Sequence, residues 1–310
     1  MISSFFTKTK PINYVVLLVF TALFYFALQF FWNPKVFHTQ EIGGISVAVI
    51  VLILSVFLIS ELVRQNKVTE LNSFAMVFFV GLTVVFPNTL LDNNGIFANF
   101  FILLATKKLL EVKEAKNAKH KIFDAAFFIC VSTLFYKWAL VYFIAIGFTI
   151  NTFKSQNIKI WFVFLTSVVT FLLVKVGLLI AFGNEDFLIS HYAFLELEID
   201  EKSLFKKLSI KNMVFFVVIA VFAMIDFVKL RKKGGGKLVI MRSMLLFFAL
   251  VFIVIFLESK ESAPILLSFF PSAVFLTNFI ETLRKKKFKE LALGLFLITA
   301  FSVFFIENLV

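Results

Sequence analysis

Eleven apolar windows leave this chain almost no room for anything but membrane-spanning helices. They lie near 12–32, 42–62, 71–88, 96–110, 122–136, 138–153, 160–182, 209–228, 239–257, 264–281 and 290–306. A helix that crosses a hydrocarbon core roughly 30 Å thick needs about 20 apolar residues. The connections between windows are short, and none is long enough to fold alone. Mean hydropathy is +0.98, with 61% hydrophobic and 16% charged residues. A soluble domain would carry roughly 45–50% apolar and 25% charged residues, so secreted scaffolds, disordered chains and ordinary soluble enzymes are excluded. The expected fold is an all-α polytopic transmembrane bundle of about 11 spans, with residues 1–310 as a single transmembrane domain.

The first window follows Lys8 and Lys10, as the core of a signal peptide would. It has no small-residue cleavage site, so it is expected to persist as the first span. The net charge of +12 would suggest nucleic acid in a soluble chain. Here the excess of basic residues at cytoplasmic ends explains it; the expected partner is the lipid bilayer, and no nucleic acid. With the N-terminus inside, 23 of the 31 Lys and Arg residues fall on cytoplasmic connections. The topology is therefore read as N-in, C-out.

One stretch tests that topology. Residues 122–153 measure about 48 Å as a helix at 1.5 Å per residue, whereas two full crossings need roughly 60 Å. A single long span would place Arg231, Lys232 and Lys233 outside and the acidic 185–201 segment inside. The charge bias rejects this and predicts two short helices turning at Tyr136, Lys137 and Trp138. Short spans are tolerated where neighbouring helices bury them.

Familiar catalytic motifs are absent: no phosphate-binding glycine loop, no dinucleotide fingerprint, no His-Glu-x-x-His and no nucleophile elbow. Cys130 is alone and reads as a small packing residue. The 47 Phe residues need no aromatic chemistry, because a lipid-facing surface accepts Phe as readily as Leu. His38, His120 and His191 are scattered; no cofactor and no metal are expected. Ionisable residues within spans default to function. Of these, Asp124 and Asp226 sit near cytoplasmic ends, where Lys121, Lys229 or Arg231 can pair with them. Lys175 stands one to two turns inside the outer end of its span.

The outer connections carry the candidate chemistry. The segment 87–95 has turn composition and one acid, Asp92. The longest, 183–208, holds His191 and six acids, and Leu188, Tyr192, Leu195 and Ile199 at helical spacing suit a surface helix. Glu41, Asp92, Lys137, Lys175 and His191 form an outward polar set, with Asn93, Asn94 and Asn99 near its rim. A carboxylate there is placed to take a proton from an incoming hydroxyl while lysines hold a phosphate. Equally, Asp92 is placed to cap the following helix. Both readings stay open.

Two resemblances bear on these residues. The opening segment 4–15, SFFTKTKPINYV, with the Phe-, Lys- and Asn-rich composition, resembles an uncharacterised family of flavobacterial (Bacteroidota) integral membrane proteins, and implies no activity. The segment 86–105, FPNTLLDNNGIFANFFILLA, followed by Lys107, Lys108 and a further helical pair, is similar to the GT-C class of membrane glycosyltransferases. That resemblance spans residues 1–180 as a core, with 183–208 as an extracytoplasmic loop and 209–310 as C-terminal spans. It implies transfer of a sugar from a polyprenyl-phosphate donor on the outer face to a cell-envelope acceptor. Asp92 matches the class's outer-loop acid, and Glu41 is the only acid available for its first-loop acid. Lys137, Lys175 and His191, with Asn93 and Asn94, fall to substrate binding. The first loop is shorter than in that class, and no soluble C-terminal domain is seen. A non-catalytic scaffold or assembly subunit of an envelope complex, with a membrane protein partner, is the alternative, and a transporter or flippase the third.

Overall fold

The structure is a computed structural model that describes residues 5–7, 10–32, 39–113, 117–154, 158–183, 209–233, 236–257 and 264–309. Among these residues there is no strand. The long helices in chain order are α1 (Pro11–Trp32), α2 (Thr39–Gln65), α3 (Phe74–Val85), α4 (Asn93–Glu111), α5 (Ala118–Ser132) and α6 (Phe143–Lys154). They continue with α7 (Ile158–Phe182), α8 (Ile210–Lys233), α9 (Gly236–Leu257), α10 (Phe269–Thr282) and α11 (Lys286–Leu309). A single turn, Asn88–Leu91, precedes α4, and 3-10 segments Lys137–Tyr142 and Ile265–Ser268 lead into α6 and α10. Each apolar window thus corresponds to one helix. Among the described residues, seven segments are long and apolar enough to cross a membrane: α1, α2, α7, α8, α9, α11 and the unit of α10 with its 3-10 lead.

Burial is uneven across the bundle. The α10 unit is 83% buried, whereas the apolar windows of α7 and α11 are only 17% and 11% buried. In α3, every residue from Phe74 to Val84 is buried. A helix apolar on all sides belongs in a protein interior, and α3 packs on α10, α11 and α2. The long helices present exposed Leu, Val, Ile and Phe along their outer faces, as at Leu173, Val217, Leu291 and Ile298, a surface suited to lipid contact. Polar side chains within helices bond back to their own backbone: Thr21 to Leu17, Ser55 to Val51 and Thr277 to Ala273. This satisfies their hydroxyls where no water is present.

The 122–153 stretch reverses. Ser167 donates to the Phe123 carbonyl at 2.8 Å, and Phe171 meets Phe127 edge-on at 5.9 Å. Thus α7 runs parallel to α5, and α6 between them must return. The break comes at 133–136, where Thr133, Leu134 and Phe135 close tight turns onto Cys130, Val131 and Ser132 before the 3-10 segment begins. Cys130 is buried, as its apolar surroundings imply.

Contacts sort the connections into two ends. At one, Lys107 pairs with Glu61 at 2.8 Å, Lys108 with Asp124 at 2.9 Å, and Lys121 with Glu111. Asp124 therefore pairs with a lysine, but with Lys108 and not the expected Lys121, which goes to Glu111. The same end holds the turn after α2, where Val68 N–H reaches the Val63 carbonyl and Lys67 adopts φ 50°, a left-handed helix stop usually given to glycine. The opposite end gathers the C-terminus of α1, the start of α2, the 86–95 corner and the 133–137 turn.

Candidate functional site

The 86–95 corner is built by two chain breaks in quick succession. Phe86 closes α3 with its N–H on the Leu82 carbonyl at 3.0 Å, and Pro87, lacking an N–H, ends the helix. After the turn Asn88–Leu91, Asp92 is extended at φ −95° and ψ 94°, and its carbonyl accepts the Ile96 N–H at 3.2 Å to open α4. Asp92 therefore occupies the cap position. Its carboxylate, however, makes no cap hydrogen bond. The carboxylate instead accepts a hydrogen bond from the hydroxyl of Tyr136, a residue only 2% exposed in the turn after α5. Gly95 permits this placement, because a Cβ there would stand 3.1 Å from Asp92 Oδ2.

The neighbours of Asp92 are tied down from α1 and α2. Tyr25 donates to Asn93 Oδ1 at 3.1 Å, and Gln29 Nε2 donates to the Leu90 carbonyl at 3.4 Å. Gly44, in the second turn of α2, lies against the Asn93 amide. Asn94 is exposed and Asn93 half-buried. Two turns into α4, Asn99 is 1% exposed, and its amide nitrogen has no partner among the described residues. The first two helices and the α3–α4 corner thus converge.

Lys137 follows Tyr136 directly, half-buried at the start of its 3-10 segment, so the base candidate and one lysine candidate meet at the same turn. Lys175 lies one turn beyond Phe171 on α7 and is 6% exposed. Glu41 falls in the first turn of α2, one turn before Gly44, but its side chain lies outside the described residues, as does all of His191. Asp92, Asn93 and Asn94 share one corner, and Lys137 follows the residue that holds Asp92; Lys175 sits on the helix beside α5, and Tyr136 lies in the turn that follows α5. The sequence names Tyr136 only as part of a turn, and Tyr25 and Gln29 not at all. Their signal is weak in sequence: each is a polar tip in an apolar run, which only the fold aligns.

Asp226 departs from its expected ion pair. It is 3% exposed on α8, and its Oδ2 has no hydrogen-bond partner among the described residues. Lys229, one turn away, donates instead to Thr282 Oγ1 at 3.1 Å. No group of three or more His, Cys, Asp or Glu suited to a metal occurs among the described residues.

Residues 7–310 match a family of unknown function, DUF6427, and the chain belongs to that family. No curated protein and no solved structure matches it.

Proposed function

We propose that this member of DUF6427 is a GT-C-like membrane glycosyltransferase with eleven crossings, N-in and C-out, in a bacterial cytoplasmic membrane. It takes a sugar from a polyprenyl-phosphate donor at the outer face. The single observation behind this reading is the carboxylate of Asp92, which stands at a helix start without capping it and is held by Tyr136 beside Lys137. In the reaction, Asp92 accepts the proton of an acceptor hydroxyl as that oxygen bonds to the anomeric carbon. The bond from that carbon to the phosphate oxygen breaks, and the electron pair leaves with the polyprenyl phosphate. Lys137 and Lys175 meet the negative charge left on the phosphate, with His191, Asn93 and Asn94 around the substrate and Glu41 as a second acid.

The test is sugar transfer or hydrolysis by the full chain in lipid, with a panel of polyprenyl-phosphate sugars as donors. Loss of the base lowers turnover by about 10²–10⁴-fold, so Asp92→Asn should abolish turnover while thermal unfolding shows a folded protein. Undiminished turnover in Asp92→Asn, or none with any donor in the unaltered chain, overturns the reading. A second reading, a non-catalytic envelope subunit, is favoured by the ties from Tyr136, Tyr25 and Gln29, which make the corner a latch joining α1, α4 and the α5–α6 turn. A latch predicts that Asp92 and Tyr136 variants alter stability alone.

A further inference from the structure

We propose that a zwitterionic phospholipid seats at the basic end of α8. Its ammonium lies on Asp226, its phosphate among Lys229, Lys237 and Arg284, and one acyl chain in the apolar groove between α8 and α11. The polar part is a pocket of about 470 Å³ between α8, the start of α9 and the C-terminal turn of α10. Three cations, Lys229, Lys237 and Arg284, and three carboxylates, Glu70, Asp226 and Glu281, line it. An anion site would omit the acids and a cation site the bases, so the lining suits a headgroup carrying both charges.

The carboxylates are not equivalent. Glu281 Oε1 already accepts the Glu70 N–H at 2.8 Å and the Asn72 amide at 2.7 Å, which fix the turn before α3 to the end of α10. Asp226 Oδ2 is buried on the pocket wall with no partner among the described residues. A buried carboxylate oxygen left without a hydrogen bond is costly, and an ammonium donor removes that cost. Lys229 is drawn off toward Thr282.

An apolar groove of about 720 Å³ adjoins the pocket. Leu82 and Ile280 form part of its floor, and exposed Val214, Val218 and Ile306 part of its rim. It therefore opens sideways, toward lipid. The tilted pair Phe222–Phe279, with centroids 4.7 Å apart, stands where groove meets pocket, and Lys229 Nζ lies 5.9 Å from the Phe279 ring. Along α8 the groove runs from Ile210 to Phe222, roughly 18 Å at 1.5 Å per residue. The Lys211–Glu307 pair bounds its far end. On α8 the sequence Phe215, Ile219, Phe222, Asp226, Lys229 forms one stripe that turns from apolar to charged, as an amphiphile does.

The decisive measurement titrates the detergent-solubilised full chain with phosphatidylethanolamine, phosphatidylglycerol and phosphatidylcholine of identical acyl chains, read by native mass spectrometry. One charge-assisted hydrogen bond supports a preference of about tenfold, so phosphatidylethanolamine should lead both others by that factor. Asp226→Asn should bring phosphatidylethanolamine and phosphatidylglycerol to near parity. Val218→Trp should weaken all three lipids, while soluble glycerophosphoethanolamine, which has no acyl chain, binds only weakly to either protein. Equal or stronger binding of phosphatidylglycerol by the unaltered chain overturns the proposal without recourse to a variant. So does a lipid preference that survives Asp226→Asn. Soluble headgroup binding as tightly as the lipid overturns the acyl-chain seat. The headgroup pocket lies at the opposite end from Asp92, only the groove's far end reaching Phe86, and lipid preference is read without sugar transfer, so its failure leaves the transferase reading untouched.

Discussion

Asp92 and Asp226 are two carboxylates at opposite ends of one helical bundle, and the fold treats them differently. Around Asp92 the chain supplies its own partner: a buried tyrosine hydroxyl reaches the carboxylate, while tyrosine and glutamine from α1 hold the adjoining asparagine and backbone. Around Asp226 the nearest lysine turns to a threonine, and one carboxylate oxygen stays buried without a partner among the described residues. In a low-dielectric interior a satisfied charge network rigidifies, and an unsatisfied one costs stability. The first arrangement is complete within the protein. The second is complete only when something from outside enters.

That contrast makes opposite signs the sharpest test. Asp92→Ala removes the acceptor of a buried hydroxyl and should destabilise by about 3 kcal/mol, the combined size of a charge-assisted bond and an orphaned donor. Thermal unfolding in detergent reads it, and a cycle with Tyr136→Phe should return a coupling of about 2 kcal/mol. Asp226→Leu should instead stabilise, by on the order of 2 kcal/mol in lipid-free detergent, because an apolar side chain of similar volume replaces a buried carboxylate with an oxygen that has no hydrogen bond among the described residues. Added phosphatidylethanolamine should narrow that gain by stabilising the unaltered chain alone. If both substitutions destabilise alike, the two ends are equivalent and the comparison fails.

Much of the fold was legible from hydropathy. Each apolar window corresponds to a helix, and the stretch 122–153, for which a single long span was the rival, is broken into two short helices as expected. What hydropathy hides is the identity of the neighbour. Lipid tails and protein interiors are equally apolar, so Phe74–Val85 and Ile158–Phe182 read alike, although one is buried on every side and the other largely exposed. Phenylalanine shows the same blindness. Besides covering lipid-facing surface, it packs the interior, as in Phe78 on Phe296 and Phe86 on Phe215. At the candidate site, Asp92 and Lys137 were visible as charged residues in turns. Tyr136 as the holder of Asp92 was not, because that pairing joins residues 44 apart in the chain. Asp226 was seen but given an ion pair, since local spacing offers Lys229 and only the tertiary structure draws that lysine away.

Smaller substitutions refine each side separately. Gly95→Ala should gain up to about 0.5–1 kcal/mol from helix propensity. In the unaltered chain the new methyl presses on Asp92 Oδ2 and strains its bond to Tyr136. The gain should therefore appear only in an Asp92→Ala background, and near neutrality in the unaltered chain. The same gain in both backgrounds would show that the carboxylate is not held where the tyrosine places it.

The smallest expected effect serves as the control for the opposite end. Lys67 closes α2 in a left-handed conformation at φ 50°, which costs a residue with a Cβ roughly 1 kcal/mol relative to glycine. Glycine gives back part of that through its freer unfolded chain, so Lys67→Gly should stabilise by about 0.5 kcal/mol. It stands at the basic end but does not line the Asp226 pocket. Its gain should thus be identical with and without phosphatidylethanolamine, whereas that of Asp226→Leu should shrink when the lipid is present. Should both gains shrink together, the lipid is acting on the end as a whole, and the distinction between a self-sufficient corner and an unfinished pocket loses its basis.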